Sequence, residues 1–175
     1  MLNIRKLTKD ELPLIWTINR AEVIDNIYYI RDGELVLEPE HYDVQGWPPG
    51  EPEHYHPHLE DCFVRGGHFW GAFDGEKLIG VAVLESKFIG SNQDTVQLKF
   101  LHASSGYRKQ GLGRKLFFLA AEQAKRMGAA KLYISSTPSE NTVHFYFHLG
   151  CQRAEEVDPE LFAFEPEDIH LEYRL

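Results

Sequence analysis

The chain reads as a single α/β (α+β) domain, a mixed sheet with helices packed on it, and three observations carry that reading. Asp74-Gly75 separates two apolar runs, His68–Phe73 and Lys77–Leu84, the strongest short-range signal of a β-hairpin. Leu112, Leu116, Leu119, Ala120, Ala124 and Met127 then recur at helical spacing, and Gly128 supplies a left-handed stop. Strand-like runs bracket that helix, Thr95–Leu101 before it and Lys131–Ser135 after it, so strands and helices alternate through the second half.

Taken in order, Asn3–Leu7 is a short strand. Thr8 and Glu11 follow with the spacing of a capping box, opening a helix that should run to about Arg20 through Leu12, Ile15, Trp16 and Ile18, with Pro13 tolerated in the first turn. From Glu38 to Glu60 the composition shifts to Pro, His, Glu and Tyr. Pro39, Pro48, Pro49, Pro52 and Pro57 predict a loop-rich insertion at about 38–60, with one helical turn near Leu59–Phe63. The hairpin comes next. Thr95–Leu101 alternates polar and apolar residues, as a strand with one buried face does. Glu140–Leu149 is a short amphipathic helix ending at Gly150, and Ile169–Leu175 a terminal strand. No internal repeat or interdomain linker interrupts this order, and 175 residues suit one domain spanning 1–175.

Composition excludes several classes. With 43% hydrophobic and 26% charged residues the chain has the material for a core, which rules out wholesale disorder. No apolar run approaches the ~20 residues of a membrane span, and the opening Met-Leu-Asn-Ile-Arg-Lys lacks the apolar block of a signal peptide, so a cytoplasmic protein without a membrane partner is expected. Cys62 and Cys151 then read as reduced, buried thiols. A formal net charge of -9 opposes generic nucleic-acid binding and mildly favours an amine-bearing partner, although acidic surfaces also serve solubility.

The chemistry-bearing segment is Arg108-Lys109-Gln110-Gly111-Leu112-Gly113-Arg114, placed where strand gives way to helix. An anion needs several backbone amides aimed at one point, and a glycine turn at the positive end of a helix supplies them. Arg108, Lys109, Arg114 and Lys115 reverse the acidic balance locally. A packing turn with solvated basic neighbours fits the same residues. The dinucleotide fingerprint fails for want of a third glycine, and no Gly-Lys-Ser/Thr follows for a nucleotide phosphate loop.

Arg108-Lys109-Gln110-Gly111-Leu112-Gly113 resembles the Arg/Gln-x-x-Gly-x-Gly/Ala acyl-coenzyme A motif of the GNAT superfamily of N-acyltransferases, and Phe145-Tyr146-Phe147-His148-Leu149-Gly150 resembles that family's late helix ending in Tyr-x-x-x-Gly. The resemblance covers most of the chain. It implies a mostly antiparallel sheet of about seven strands flanked by about four helices, with acetyl-CoA as co-substrate and an amine as acceptor. It also implies that the backbone of Leu101, His102 and Ala103 pairs with the pantetheine arm, and that the amides from Lys109 to Arg114, with Gln110, Gly111, Leu112 and Gly113 between them, hold the pyrophosphate. Where family members often carry Asn this chain has Ser139, with Asn141 nearby, and either is a candidate contact to the cofactor arm. Ser105 replaces the proline common before the turn.

On this resemblance an amine attacks the thioester and Tyr146 is the candidate general acid, although Tyr146 packing against Phe145 explains the residue equally simply. Glu85, His102 and Asp94 are the candidates for the base, and none stands out. The insertion is expected to build the acceptor site from Trp47, Tyr42, Tyr55, Glu38, Glu40, Glu51 and Glu53. His54, His56 and His58 sit within five residues, but Pro57 restrains them and no established helical zinc spacing is present, so no metal is expected. Two other readings remain: a non-catalytic acyl-CoA sensor and a metal protein built on the His54 cluster. A homodimer through an exposed edge beside the terminal strand is a further possibility, and no nucleic acid is expected.

Overall fold

In the computed structural model, which describes residues 1–175, the Asp74-Gly75 hairpin lies inside a seven-stranded sheet. β1 (Leu2–Lys6) pairs with β4 (His68–Asp74), and β4 with β5 (Lys77–Ile89), Gly75 taking φ +61° in the turn between them. β6 (Thr95–Ala103), β7 (Lys131–Ser136), β9 (Ile169–Arg174) and the two-residue β8 (Gln152–Arg153) complete the order β1-β4-β5-β6-β7-β9-β8. Every pairing is antiparallel except β6 with β7. A parallel pair needs a crossover, which α2 (Leu112–Arg126) provides.

Helices cover both faces. On one, Leu112, Leu116, Phe117, Ala120 and Ala124 of α2 bury themselves with Ile79, Ala82, Leu84, Val96 and Leu98, joined by Val143 and Tyr146 of α3 (Glu140–Leu149). On the other, Leu12, Ile15, Leu59 and Cys62 pack with Phe69, Val81, Val83 and Phe100. A sheet buried on both faces explains why β5 reads as an almost continuous apolar run.

The first half departs from the sequence expectation. Thr8 does cap with Glu11, its amide donating to the carboxylate at 2.9 Å while Arg5 grips the same group. The helix that follows is a 3-10 helix over Lys9–Thr17 and stops short of Arg20. Pro13 removes an amide and crowds the carbonyl an α-helical turn earlier, which disfavours the longer α-helix. The expected loop-rich insertion is instead largely regular. β2 (Glu22–Arg31) and β3 (Glu34–Val44) form a separate two-stranded ribbon, and α1 spans Glu51–Val64. Pro39 is accommodated opposite Asn26, at an irregularity of a ribbon whose strands are both edges, and Pro52 in the first turn of α1, where no amide partner is lost. Pro57 lies inside α1 and is held there by the burial of Leu59 and Cys62. The short β8 and α4 (Pro159–Phe164) also escaped the sequence reading. β8 covers part of β9 and is itself the exposed edge of the sheet beside the terminal strand.

The junction of α1 with β4 offers a stability test. A Cβ at Gly67 would lie 2.8 Å from the Cys62 carbonyl oxygen and would also collide with its Sγ. Backbone cannot yield as a flexible side chain does, so Gly67→Ala is expected to cost about 1–3 kcal/mol and lower the melting temperature by roughly 2–12 °C. Calorimetric melting would measure this directly.

Candidate active site

The parallel pairing of β6 with β7 spans only Thr95–Gln97 against Lys131–Tyr133. Beyond it the strands part, while β6 stays paired to β5 through Ala103. The gap opens a cavity of about 1530 Å³, walled by Leu98–Ala103 on one side and Ser135, Ser136 and Thr137 on the other. That volume exceeds the ~300–1,000 Å³ typical of small-molecule sites. The β2–β3 ribbon closes one flank by docking on α3: the Tyr28 amide donates to the Pro138 carbonyl (2.8 Å), Asn26 to Glu140 (2.7 Å), and the Tyr28 hydroxyl meets His144 at 2.6 Å.

At one end of the cavity stands the glycine turn. Gly111 has φ +83° and Lys109 φ +61°, a left-handed path that only glycine follows freely. The turn leaves the amides of Leu112, Gly113 and Arg114 without carbonyl partners, since the first α2 bond is from Lys115 to Gly111. Gly111, Gly113, Lys109 and Arg114 line the cavity. A Cβ at Gly113 would approach the Phe145 ring to 3.2 Å, so this glycine also lets α2 and α3 close together. The side chains of Leu112 and Gln110 turn away from the cavity: Leu112 into the core, Gln110 to the Gly106 carbonyl at 3.2 Å.

Arg108 has a different task from the one its charge suggested. Its guanidinium donates to the carbonyls of Ala103 (3.0 Å), Ala21 (2.8 Å) and Asn19 (3.4 Å). It thereby ties the end of β6 to the segment entering β2. Burial, reinforced by nearby Arg20 and opposed by Glu22, holds its pKa below the usual arginine value.

Among the remaining sequence candidates, Tyr146 reaches the cavity although it is 6% exposed, and its hydroxyl has no hydrogen-bond partner in the chain. Burial raises its pKa above that of an ordinary phenol, with Cys151 and Asp168 contributing. His102 also lines the cavity, packed against Phe100 (4.4 Å) and Trp47 (4.9 Å). Burial, aided by Arg20 and Arg108, pushes its imidazole down to about 3, so it stays neutral and a weak base. Asn141 is on the wall, and Ser139 is fully buried as the N-cap of α3, accepting from the Thr142 amide.

Glu85 lies outside the cavity. Burial alone would raise its carboxyl, but hydrogen bonds from Arg65 (2.7 and 3.3 Å) and the Ser86 amide win and hold it below its usual value. A carboxylate stabilised in this way is a structural ion pair. The base therefore has to be sought elsewhere.

The insertion divides in the same fashion. Glu51, His54 and Tyr55 line the cavity, whereas Glu38 pairs with Arg31, Glu40 receives the Tyr29 and Tyr42 hydroxyls, and Trp47 stacks behind on Phe100. The three α1 histidines do not converge. His56 accepts from Trp16 and contacts Glu60, while His54 and His58 pack on Phe164. No group of three potential ligands is placed to hold a metal ion.

Opposite the glycine turn the cavity is acidic. Glu51 and Tyr55 of α1 meet Glu165 and Asp168, which precede β9, and the Tyr55 hydroxyl donates to Glu165 at 2.5 Å. Burial, then Glu165 and Glu51, raise the Asp168 carboxyl to about 8, against the opposing pull of Arg20. Glu165 and Asp168 were missed by the sequence reading. Their only signal was the acidic run Glu165-Pro166-Glu167-Asp168 beside a strand, and nothing local tied it to Glu51.

With this geometry in place, the sequence model of the acetyltransferase (GNAT) family matches residues 32–151, most of the chain and all of the cavity's glycine-turn end. The chain belongs to the GNAT family. An uncharacterized N-acetyltransferase of Escherichia coli K12, YjgM, is 29% identical over 97 residues, 54% of this chain and 57% of that protein. The match thus spans a little over half of that relative. Nourseothricin acetyltransferase superposes with TM-score 0.74 at 18% identity, over 99% of this chain and 98% of its own. A putative streptothricin acetyltransferase from Bacillus anthracis, solved with acetyl coenzyme A, gives 0.70 at 16% identity over 100% and 99%. The PaiA N-acetyltransferase of Thermoplasma acidophilum, solved with coenzyme A, gives 0.65 at 19% over 100% and 99%. At such identities the superpositions establish the GNAT fold, with its seven-stranded sheet parting between β6 and β7. No helix of this GNAT chain is long and apolar enough to cross a membrane.

Proposed function

We propose that this GNAT protein transfers the acetyl group of acetyl-CoA to a primary amine. The observation that carries the reading is one cavity with two unlike ends: partnerless amides of the glycine turn at one, the carboxyls of Glu51, Glu165 and Asp168 at the other, and Tyr146 on its wall. The amides from Lys109 to Arg114 suit the pyrophosphate of the donor, and Asn141 on the wall is a candidate contact to its arm. The unpaired edge of β6 at Leu101–Ala103 suits the pantetheine amides.

The amine nitrogen attacks the thioester carbon, whose oxygen becomes an oxyanion. A backbone amide of the Leu101–Ala103 edge aimed at that oxygen stabilises it, an effect worth ~3 kcal/mol per donor. The carbon–sulfur bond then breaks, the electron pair leaves on sulfur, and the Tyr146 hydroxyl donates to the departing thiolate. The attacking nitrogen gives up one proton, which the acidic end of the site accepts.

Release of free thiol from acetyl-CoA across an amine panel tests the reading. Streptothricin-class amines belong in that panel because two similar solved structures carry such names. Thiol release dependent on at least one amine is expected. Acetyl-CoA binding with no release for any amine would instead leave a sensor module.

A further inference from the structure

We infer that the acceptor's ammonium group docks between Glu51, Glu165 and Asp168, and that Asp168 receives its proton. The inference rests on the acetyl-transfer reading for its chemistry, although the docking site stands on the geometry.

Several carboxylates elsewhere in the molecule have their own arginines: Glu11 has Arg5, Glu38 has Arg31, and Glu85 has Arg65. At the acidic end of the cavity Glu51, Glu165 and Asp168 gather near the Arg20 guanidinium, which comes no nearer than 4.0 Å to Glu51 and also lies over the Trp47 ring. Burying negative charge without a counterion is costly, so a surplus of this kind suits a cation brought in by a ligand.

A further observation points to a ligand independently of the number of acids and of the Glu51 carboxylate oxygen, which has no hydrogen-bond partner and only Arg20 as a cation, at 4.0 Å. The Tyr146 hydroxyl, on a side chain more than nine-tenths buried, opens onto the same cavity unpartnered and close enough for the Asp168 charge to act on it. Carboxylate acceptors facing the same cavity as the Tyr146 hydroxyl match an amine nitrogen, which donates protons to carboxylates as it approaches a carbonyl carbon.

Asp168 is the member suited to accept a proton. Glu165 is engaged by Tyr55 and Glu51 faces Arg20, while for Asp168 only the backbone amide is bonded, to the Glu165 carbonyl at 3.3 Å. The groups facing it are Glu165 and Glu167 on its own segment, Glu51 and Tyr55 from α1, Arg20 from the segment between the 3-10 helix and β2, and Tyr146 from α3. With acids in the majority its affinity for a proton is high. An alkylammonium, of ordinary pKa ~10.4, surrenders its proton to such a group far more easily than to a carboxylate in water. In the step itself one nitrogen–hydrogen bond of the ammonium breaks and its proton ends on an Asp168 oxygen; the freed electron pair forms the new bond to carbon, and as the carbon–sulfur bond breaks the nitrogen loses its second proton, which replaces the one Tyr146 gives to the thiolate.

Calorimetric titration of the coenzyme A-loaded protein with diaminobutane, repeated in buffers of different ionisation enthalpy, reads the site without turnover. At neutral pH a mostly protonated Asp168 should release about one proton per amine bound, by linkage. Asp168→Asn should release close to none. Undiminished release by Asp168→Asn, or failure of diaminobutane to bind, would overturn the assignment. In turnover, the wild-type kcat/KM for amine should rise as pH passes through about 8. Asp168→Asn should lower it about 100-fold and move the rise from about 8 towards the amine's own ionisation at ~10.4, with KM for acetyl-CoA unchanged, and Asp168→Glu should restore part of the rate. A rise still centred near 8 in the Asn variant would remove Asp168 as the base. The melting temperature should not fall in Asp168→Asn, because a half-buried carboxyl that resists ionisation is replaced by a neutral isostere. Proton release without thiol release from any amine would end the acetyl-transfer reading and the catalytic role of Asp168, leaving only the cation site.

Discussion

Tyr146→Phe is expected to lower the maximal acetylation rate by about 100-fold, near the lower end of what general acids contribute, while acetyl-CoA affinity stays within about twofold. The hydroxyl makes no hydrogen bond in the chain, so its removal orphans no protein group. The ring keeps its contacts with Phe145 at 5.1 Å and Phe117 at 6.2 Å, and its place among the core side chains of α2. Stability should therefore be unchanged or slightly higher, which separates this variant from an ordinary core defect. Burial raises the phenol's pKa, so it remains protonated throughout the working range and is a poor outright acid. Its service is to donate a hydrogen bond to charge as it develops on sulfur, when the parent thiol's own pKa is ~8.5. Single-turnover rates would isolate this step from product release. An unchanged rate, with the fold intact, would reduce Tyr146 to a packing residue.

What could be read beforehand follows from how local each feature is. The glycine turn was legible because a phosphate cradle needs consecutive amides, and Gly111 with φ +83° and Gly113 against Phe145 supply them within a few residues. The Tyr146 helix was legible for the same reason, with Gly150 closing it at φ +102°. The β2–β3 ribbon was missed despite carrying the hairpin signal used elsewhere. Asp32-Gly33, at φ +50° and +80°, joins Arg31 to Glu34. The proline-rich composition that follows it drew the reading towards loop. Proline counts alone could not distinguish Pro52, harmless in a first helical turn, from a true breaker. The acidic site had no local signature at all. Glu51 and Asp168 are more than a hundred residues apart in sequence and meet only because α1 and the segment before β9 flank the same gap in the sheet. Glu85 failed as a candidate base because the sequence does not reveal that Arg65, the residue that caps the end of α1, already holds it.

Arg108 gives the second large effect, and its outcome separates a clamp from a phosphate ligand. If its charge met the pyrophosphate, Arg108→Lys would preserve most of the donor affinity, since lysine also binds phosphate as a point charge. The structure instead spends the guanidinium on three carbonyls in different directions, those of Ala103, Ala21 and Asn19. A lysine cannot reproduce that fork. Charge-assisted bonds contribute about 1.5–3 kcal/mol each, but these carbonyls regain water in part when the guanidinium goes. Arg108→Ala is therefore expected to lose about 2–3 kcal/mol in all, or roughly 4–12 °C in melting temperature. Arg108→Lys should lose nearly as much. Because Ala103 ends the strand edge assigned to the donor arm and Ala21 opens the segment that walls the cavity, both variants should also raise KM for acetyl-CoA about tenfold or more. Retained stability and donor affinity in Arg108→Lys, beside loss of affinity in Arg108→Ala, would return Arg108 to the phosphate. Equal losses in both would place the anion recognition on the backbone amides of the turn, with Arg108 holding the strand end in position for them.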